Sequence, residues 1–156
     1  MENVLSVAAC IFKRYRETYG QPIDEMKLHK MLYFAQRESL IQNDQPLFDA
    51  TFYGWKYGPV LKELRIAYKE GSLLSFFNED TLQRIESIVN RVFMDYAEKN
   101  SWSLSRLSHG ELSWIKSREG IEANTNSDVP MKLEDIRKDA QRIRKRRELL
   151  SEYGLL

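Results

Sequence analysis

Apolar residues recur at steps of three and four over most of this chain, which is the spacing of one face of an α-helix. Leu5, Ala8, Phe12, Tyr15 and Tyr19 mark a first helix, Gly20 ends it and Pro22 follows. Asp24 suits the N-cap of a second helix, EMKLHKMLYFAQRESLIQ, whose Leu28, Met31, Leu32, Phe34, Ala35 and Leu40 cover a wider arc than a surface helix needs. That breadth predicts a central position. Asn43 to Pro46 reads as a turn, and Phe48 to Trp55 is the one place where aromatic and Thr content favours extended chain. Pro59 is expected in the first turn of a third helix that carries Val60, Leu61, Leu64, Ala67 and Tyr68 and stops at Gly71.

After a loop with Phe76 and Phe77, a stripe of Leu82, Ile85, Val89, Val92 and Tyr96 predicts a long fourth helix, with Asp80 as its cap and Gln83 completing a loose capping box. The run SWSLSRLSHGELSWIKSRE reads as two short helices hinged at His109-Gly110, the first capped by Ser101 or Ser103. A polar loop, EANTNSDVP, leads to an amphipathic helix over about 133–153, aligned on Leu133, Ile136, Ala140, Ile143 and Leu150 and stopped by Gly154. The expected fold class is all-α: a single compact domain spanning 1–156, of five to six helices, with at most one short extended pair near Phe52.

Composition narrows the class further. Hydrophobic residues make up 42% and charged residues 30%, with only 7 Gly and 4 Pro, which suits an ordered helical domain and argues against disorder. A formal net charge of +1 gives no global pull towards nucleic acid or anionic membrane, so any such binding needs a local patch. The single cysteine, Cys10, excludes an internal disulfide framework and a cysteine-rich zinc site, and suits a reducing cytosol. Its place beside the apolar face of the first helix predicts a packed small hydrophobe. The apolar VLSVAACIF follows an acid, Glu2, and is read as a helix, since a signal peptide wants positive charge in front. No membrane association is expected.

Candidate chemistry is sparse. His29 and His109 have no Cys or His at ligand spacing, so neither a metal nor another cofactor is expected. The serines around His109 form no Gly-x-Ser-x-Gly elbow, and the glycines are dispersed rather than gathered in a phosphate loop. No catalytic residue and no enzyme activity are expected. Glu134 and Asp135 read as helix N-terminal charges that favour the dipole. The basic run Arg142, Arg144, Lys145, Arg146 and Arg147 could track phosphates, with Lys138, Arg142, Lys145 and Arg146 on one face. Yet from Asp128 onward eight Lys or Arg meet six Asp or Glu, so a solvated, ion-paired face is the simpler reading.

One stretch points past a generic helical domain: FDATFYGWKYGPVLKEL, from Phe48 to Leu64. Phe52, Tyr53, Trp55 and Tyr57 bring large apolar rings with polar tips, which suit a core seam or a recognition surface. Gly58-Pro59 is explained by a turn alone. Lys56 is different, since a charge among aromatics has a core role only if paired, for instance with Glu63. His109 beside Gly110 reads as a buried hydrogen-bonding residue that ties the hinge.

KLHKMLYFAQ from Lys27, PLFDATFYGWKYGPVLKEL from Pro46 and LSRLSHGELSWIKSR ending at Arg118 resemble, in order, the three signature blocks of the Panacea domain, a family also called SocA-like or phage-associated GepA-like. The run from Trp55 to Val60 is the most specific part. The chain differs from the usual pattern at His29, Gly54, Lys62, Ser108 and Ser113, which leaves the defining residues in place. The resemblance implies a mostly helical, cytoplasmic antitoxin, without catalytic chemistry, that neutralises a protein toxin by direct binding. The toxin partner would be encoded by a neighbouring gene. Two other roles stay open: an adaptor that delivers a bound protein to a protease, with a protease or chaperone as second partner, and a regulator that binds DNA through the basic last helix. Partner contacts are expected at Trp55, Lys56, Tyr57, His109 and Trp114, with Tyr33, Gln36, Gly58 and Pro59 as signature positions that hold the fold.

Overall fold

A computed structural model describes residues 1–155. Seven α-helices and one two-stranded ribbon follow in the order α1 (Val4–Tyr19), α2 (Glu25–Asn43), β1 (Tyr53–Trp55), β2 (Gly58–Val60), α3 (Lys62–Glu70), α4 (Glu79–Tyr96), α5 (Ser101–His109), α6 (Leu112–Ser117) and α7 (Leu133–Glu152), with a 3-10 turn at Leu73–Phe76 between α3 and α4. The all-α class holds, and the seven helices match those traced along the sequence, one more than the five to six expected of the domain, with α5 and α6 joined at His109-Gly110 as the sequence suggests.

Local chemistry sets most helix ends. The side chain of Asp24 accepts a hydrogen bond from the Lys27 N–H at the start of α2, and Gly20 and Gly71 close α1 and α3 in the left-handed conformation. Two expected caps are displaced by one to three residues. Asn78, not Asp80, caps α4 by accepting from Thr81 N–H, and Asn100, not Ser101 or Ser103, caps α5 by accepting from Ser103 N–H. In each case an Asn just upstream offers an amide oxygen at the proper reach, and the expected residues fall inside the helix.

Helix α2 is the central element: from Lys27 to Ile41 every residue is buried. Helices α1, α3, α4, α5 and α7 and strand β2 all pack against it. Its aromatic heart is Tyr33, set edge-on to Phe34 and to Phe52 at 5.4 and 5.6 Å, while Phe34 stacks on Tyr96 at 4.1 Å. Each fully buried side chain here contributes roughly 1.5–3 kcal/mol from burial alone. Cys10 is buried in the same core, as expected. Burial pushes its thiol up to about 11, so it behaves as an apolar group.

Pro59 departs from expectation. It sits in β2 opposite Gly54, and α3 begins three residues later at Lys62, with Leu61 as N-cap. A proline is tolerated at a position of a ribbon where no N–H is needed. Beyond it, the Leu61 N–H donates to His29 Nδ1 at 3.1 Å, so the helix start is tied to α2 by a side chain 32 positions earlier. The other edge of β1 is laced by residues 129–131, through Gly54 N–H to Val129 O (3.3 Å) and Met131 N–H to Phe52 O (2.8 Å).

Helix α7 lies along α2, and its arginines hold it there. Arg144 donates to the carbonyls of Leu40 and Ile41 (2.6 and 3.0 Å), and Arg137 donates to the Asp44 carbonyl and carboxylate at 2.9 Å. Both cations meet the negative end of the α2 dipole. Arg147 adds a bidentate pair with buried Glu38 at 2.8 Å, and Arg142 bonds Glu111 at 2.7 Å. Among the described residues no helix is long and apolar enough to cross a membrane.

Candidate partner-binding site

The ribbon β1–β2, the α5–α6 hinge and the first half of α2 meet in one corner. The sequence supplies this corner from three distant stretches, and each is held by a specific contact. Ser105, on α5, donates its hydroxyl to the Tyr57 carbonyl, which fixes the Lys56-Tyr57 turn. Trp114, on α6, donates its indole N–H to the Trp55 carbonyl at 2.9 Å. Helix α6 is aimed by Asp139 of α7, whose carboxylate accepts from the Leu112 and Ser113 N–H groups (2.8 and 2.9 Å) and so caps the helix from outside.

All five expected contact residues converge in this corner. His109 stacks on Trp114 with ring centroids 4.0 Å apart and planes 15° from parallel. Trp55 and Trp114 are half-buried. Lys56 is also half-buried, and its ammonium lies 5.1 Å above the Tyr57 ring; among the described residues it makes no ion pair with Glu63. Tyr57 is 44% exposed and meets Trp102 edge-on at 5.2 Å. Trp102 itself is 55% exposed, and the sequence reading passed over it. Its position on the outward side of a short helix, next to a turn 45 residues earlier, is a long-range fact with no local signal.

His109 is half-buried rather than buried: its ring hydrogen-bonds with the Lys56 backbone and stacks on Trp114, while among the described residues its Nε2 is enclosed with no partner. Burial holds its pKa below the ordinary histidine value, with the nearby charge of Lys30 acting the same way. His29 is neutral for the same main reason, burial. Because its Nδ1 accepts from Leu61 N–H, its proton sits on Nε2, which donates to Glu25 at 3.1 Å.

The signature positions do structural work. Tyr33 is fully buried, with its hydroxyl 2.8 Å from Ser113 Oγ. Gln36 clamps the chain leading into the ribbon: its amide donates to Phe48 O (2.9 Å) and its carbonyl accepts from Leu47 N–H (2.7 Å). Gly58 has φ +117°, and a Cβ there would come within 2.7 Å of Lys30 Cε. Gly54 has no room either, since a Cβ would collide with the Ser117 side chain.

Beneath the turn lies a cleft of about 350 Å³ between α2 and the ribbon, with His29, Lys30, Trp55, Lys56, Tyr57 and Arg65 among its walls. Lys30, absent from the sequence reading, is only 1% exposed, and burial lowers its pKa from 10.5 to about 8. Among the described residues no three His, Cys, Asp or Glu gather where a metal ion could sit.

Parts of this chain are similar to known proteins. A 39-residue segment, 25% of this chain, is 44% identical to the Antitoxin SocA of Caulobacter vibrioides (strain NA1000 / CB15N), and it covers 21% of that protein. No solved structure matches. The family model described as Antitoxin SocA-like, Panacea domain, matches residues 28–115, from the second turn of α2 through the hinge to α6. That span is more than half of the chain and contains the turn, the stacked His109–Trp114 pair and the signature positions, so the chain belongs to the SocA-like antitoxin family, as a Panacea domain.

Proposed function

We propose that this protein is the antitoxin of a toxin–antitoxin pair and neutralises a protein toxin by binding it directly through the corner formed by the ribbon turn and the α5–α6 hinge. One observation carries the reading: within the family's own stretch, aromatic rings that could have been buried stand at the surface. Tyr57 and Trp102 form an exposed pair, with Lys56 against one ring and Trp55 and Trp114 half-covered behind. Exposed aromatics backed by a rigid, hydrogen-bonded frame are the usual anchors of protein interfaces, because they bury much area and lose little freedom. The adaptor role has no separate observation in its favour.

The DNA-binding alternative is weakened by where the basic residues go. Arg144 and Arg147 are engaged with α2, and on the outward face Arg142 is paired with Glu111 and Lys138 lies near Asp135, which leaves Lys145 and Arg146 as the cations of that face without an acid partner among the described residues. A face so neutralised makes a poor phosphate track. Co-expression with each neighbouring reading frame tests the proposal. A neighbour that arrests growth alone, and is silenced and co-purified with this chain, supports it; a harmless neighbour and no co-purification overturn it.

A further inference from the structure

The cleft under the ribbon turn holds a charge that the fold does not use. Lys30 is buried to 99%, lines the cleft, and among the described residues its ammonium has neither a hydrogen-bond acceptor nor an ion-pair partner. The two nearest acids are committed elsewhere: Asp24 caps α2 at Lys27 N–H, and Glu25 is bonded by His29 and Arg65, each at 3.1 Å. A buried ammonium without a counter-charge is expensive, and chains retain one where a ligand supplies the missing charge. Among the described residues two other polar atoms of this corner, the Trp55 indole N–H and His109 Nε2, are enclosed and unpartnered, and Trp55 shares the walls of the cleft. The absence of a side chain at Gly58 leaves the space that Lys30 occupies.

We propose that this cleft is a carboxylate-binding site, and that its occupant is an aspartate or glutamate side chain on the surface of the partner protein. Lys30, Lys56 and Arg65 stand against Glu25 alone, which Arg65 already neutralises, so the cleft keeps two positive charges and calls for an anion. The remaining walls are apolar, Met26, Val60 and the faces of Trp55 and Tyr57, and suit the methylene stem of such a side chain. The cleft also opens beside the exposed Tyr57–Trp102 pair, so one partner surface can cover both. That this partner is a toxin rests on the antitoxin reading; the site itself does not.

The test uses the purified chain and needs no toxin. N-acetylglutamate α-amide, its glutamine counterpart and inorganic phosphate are titrated at constant ionic strength while the three Trp indole N–H resonances are followed. The site predicts a saturable shift of the Trp55 resonance with the carboxylate alone, no shift at Trp102, and at least about tenfold weaker binding in Lys30→Gln. Lys30→Met serves as a second variant should the amide disturb folding. A shift that does not saturate, that persists in both variants, or that phosphate or the glutamine amide reproduces would overturn the proposal. If the carboxylate binds while no neighbouring gene product is neutralised, the site stands and the antitoxin reading fails.

Discussion

Replacing Lys30 with methionine should make the protein more stable. The wild-type chain folds with an ammonium buried in the cleft, and its pKa falls from 10.5 to about 8. A shift of that size corresponds to about 3 kcal/mol of folding free energy lost while the group is charged in both states. Methionine has a similar length, no charge and enough flexibility to fill the same space beneath Gly58. Allowing for imperfect packing, Lys30→Met should gain about 1–3 kcal/mol at neutral pH, and each kcal/mol raises the Tm of a chain this size by roughly 2–4 °C. The pH dependence gives a sharper check. Below the folded pKa the penalty is complete; between about 8 and 10.5 the unfolded chain holds the extra proton, so wild-type stability rises with pH in that window. The gap between variant and wild type should therefore narrow by about 1 kcal/mol from about pH 7 to about pH 9. Asp24, Glu25, His29, His109, Lys56, Arg65 and the Cys10 thiol are common to both proteins and largely cancel in the difference. Urea denaturation at the two pH values reads the result. A variant that is no more stable at pH 7, with a gap that does not move with pH, would refute the claim that Lys30 is an uncompensated charge.

Other outcomes follow from single contacts. Tyr57→Ala and Trp102→Ala should cost no more than about 1 kcal/mol of stability, because both rings are about half exposed, while partner affinity measured by calorimetry drops at least about tenfold. Gly58→Ala should lower stability by about 2–4 kcal/mol, since it forces a side chain into a φ of +117° and against Lys30; an unchanged melting curve would contradict that packing. Arg147→Ala strips buried Glu38 of its bidentate partner and should cost about 2 kcal/mol, read by thermal denaturation.

What could be read in the sequence was local. Gly20, Asp24 and Gly71 act within one helical turn, and the wide apolar arc of α2 announced its central place. Pro59 was misassigned because its role depends on Gly54 across the ribbon and on residues 129–131 at the far edge of β1, none of which is adjacent in the chain. The convergence of Trp55, Lys56, Tyr57, His109 and Trp114 was expected only from family resemblance; the contacts that create it, Ser105 to Tyr57 and Asp139 to the start of α6, span 26 to 48 positions. Lys30 drew no assignment from the sequence. It stands three and four residues before buried Tyr33 and Phe34, so a helical wheel puts it on the inward arc, and that was the available signal. For the arginines of α7 an ion-paired face was the simpler reading, but their acceptors, the last carbonyls of α2 for Arg144, Glu38 for Arg147 and Glu111 for Arg142, lie 31 to 109 positions away and could not be named.

Direct binding through the ribbon turn and the α5–α6 hinge is tested most plainly by hydrogen exchange on the purified chain with and without its co-purifying partner. The account predicts slowed exchange over residues 53–60 and 101–114, with the outer face of α7 unchanged. Protection confined to α7, or to surfaces away from that corner, would contradict it.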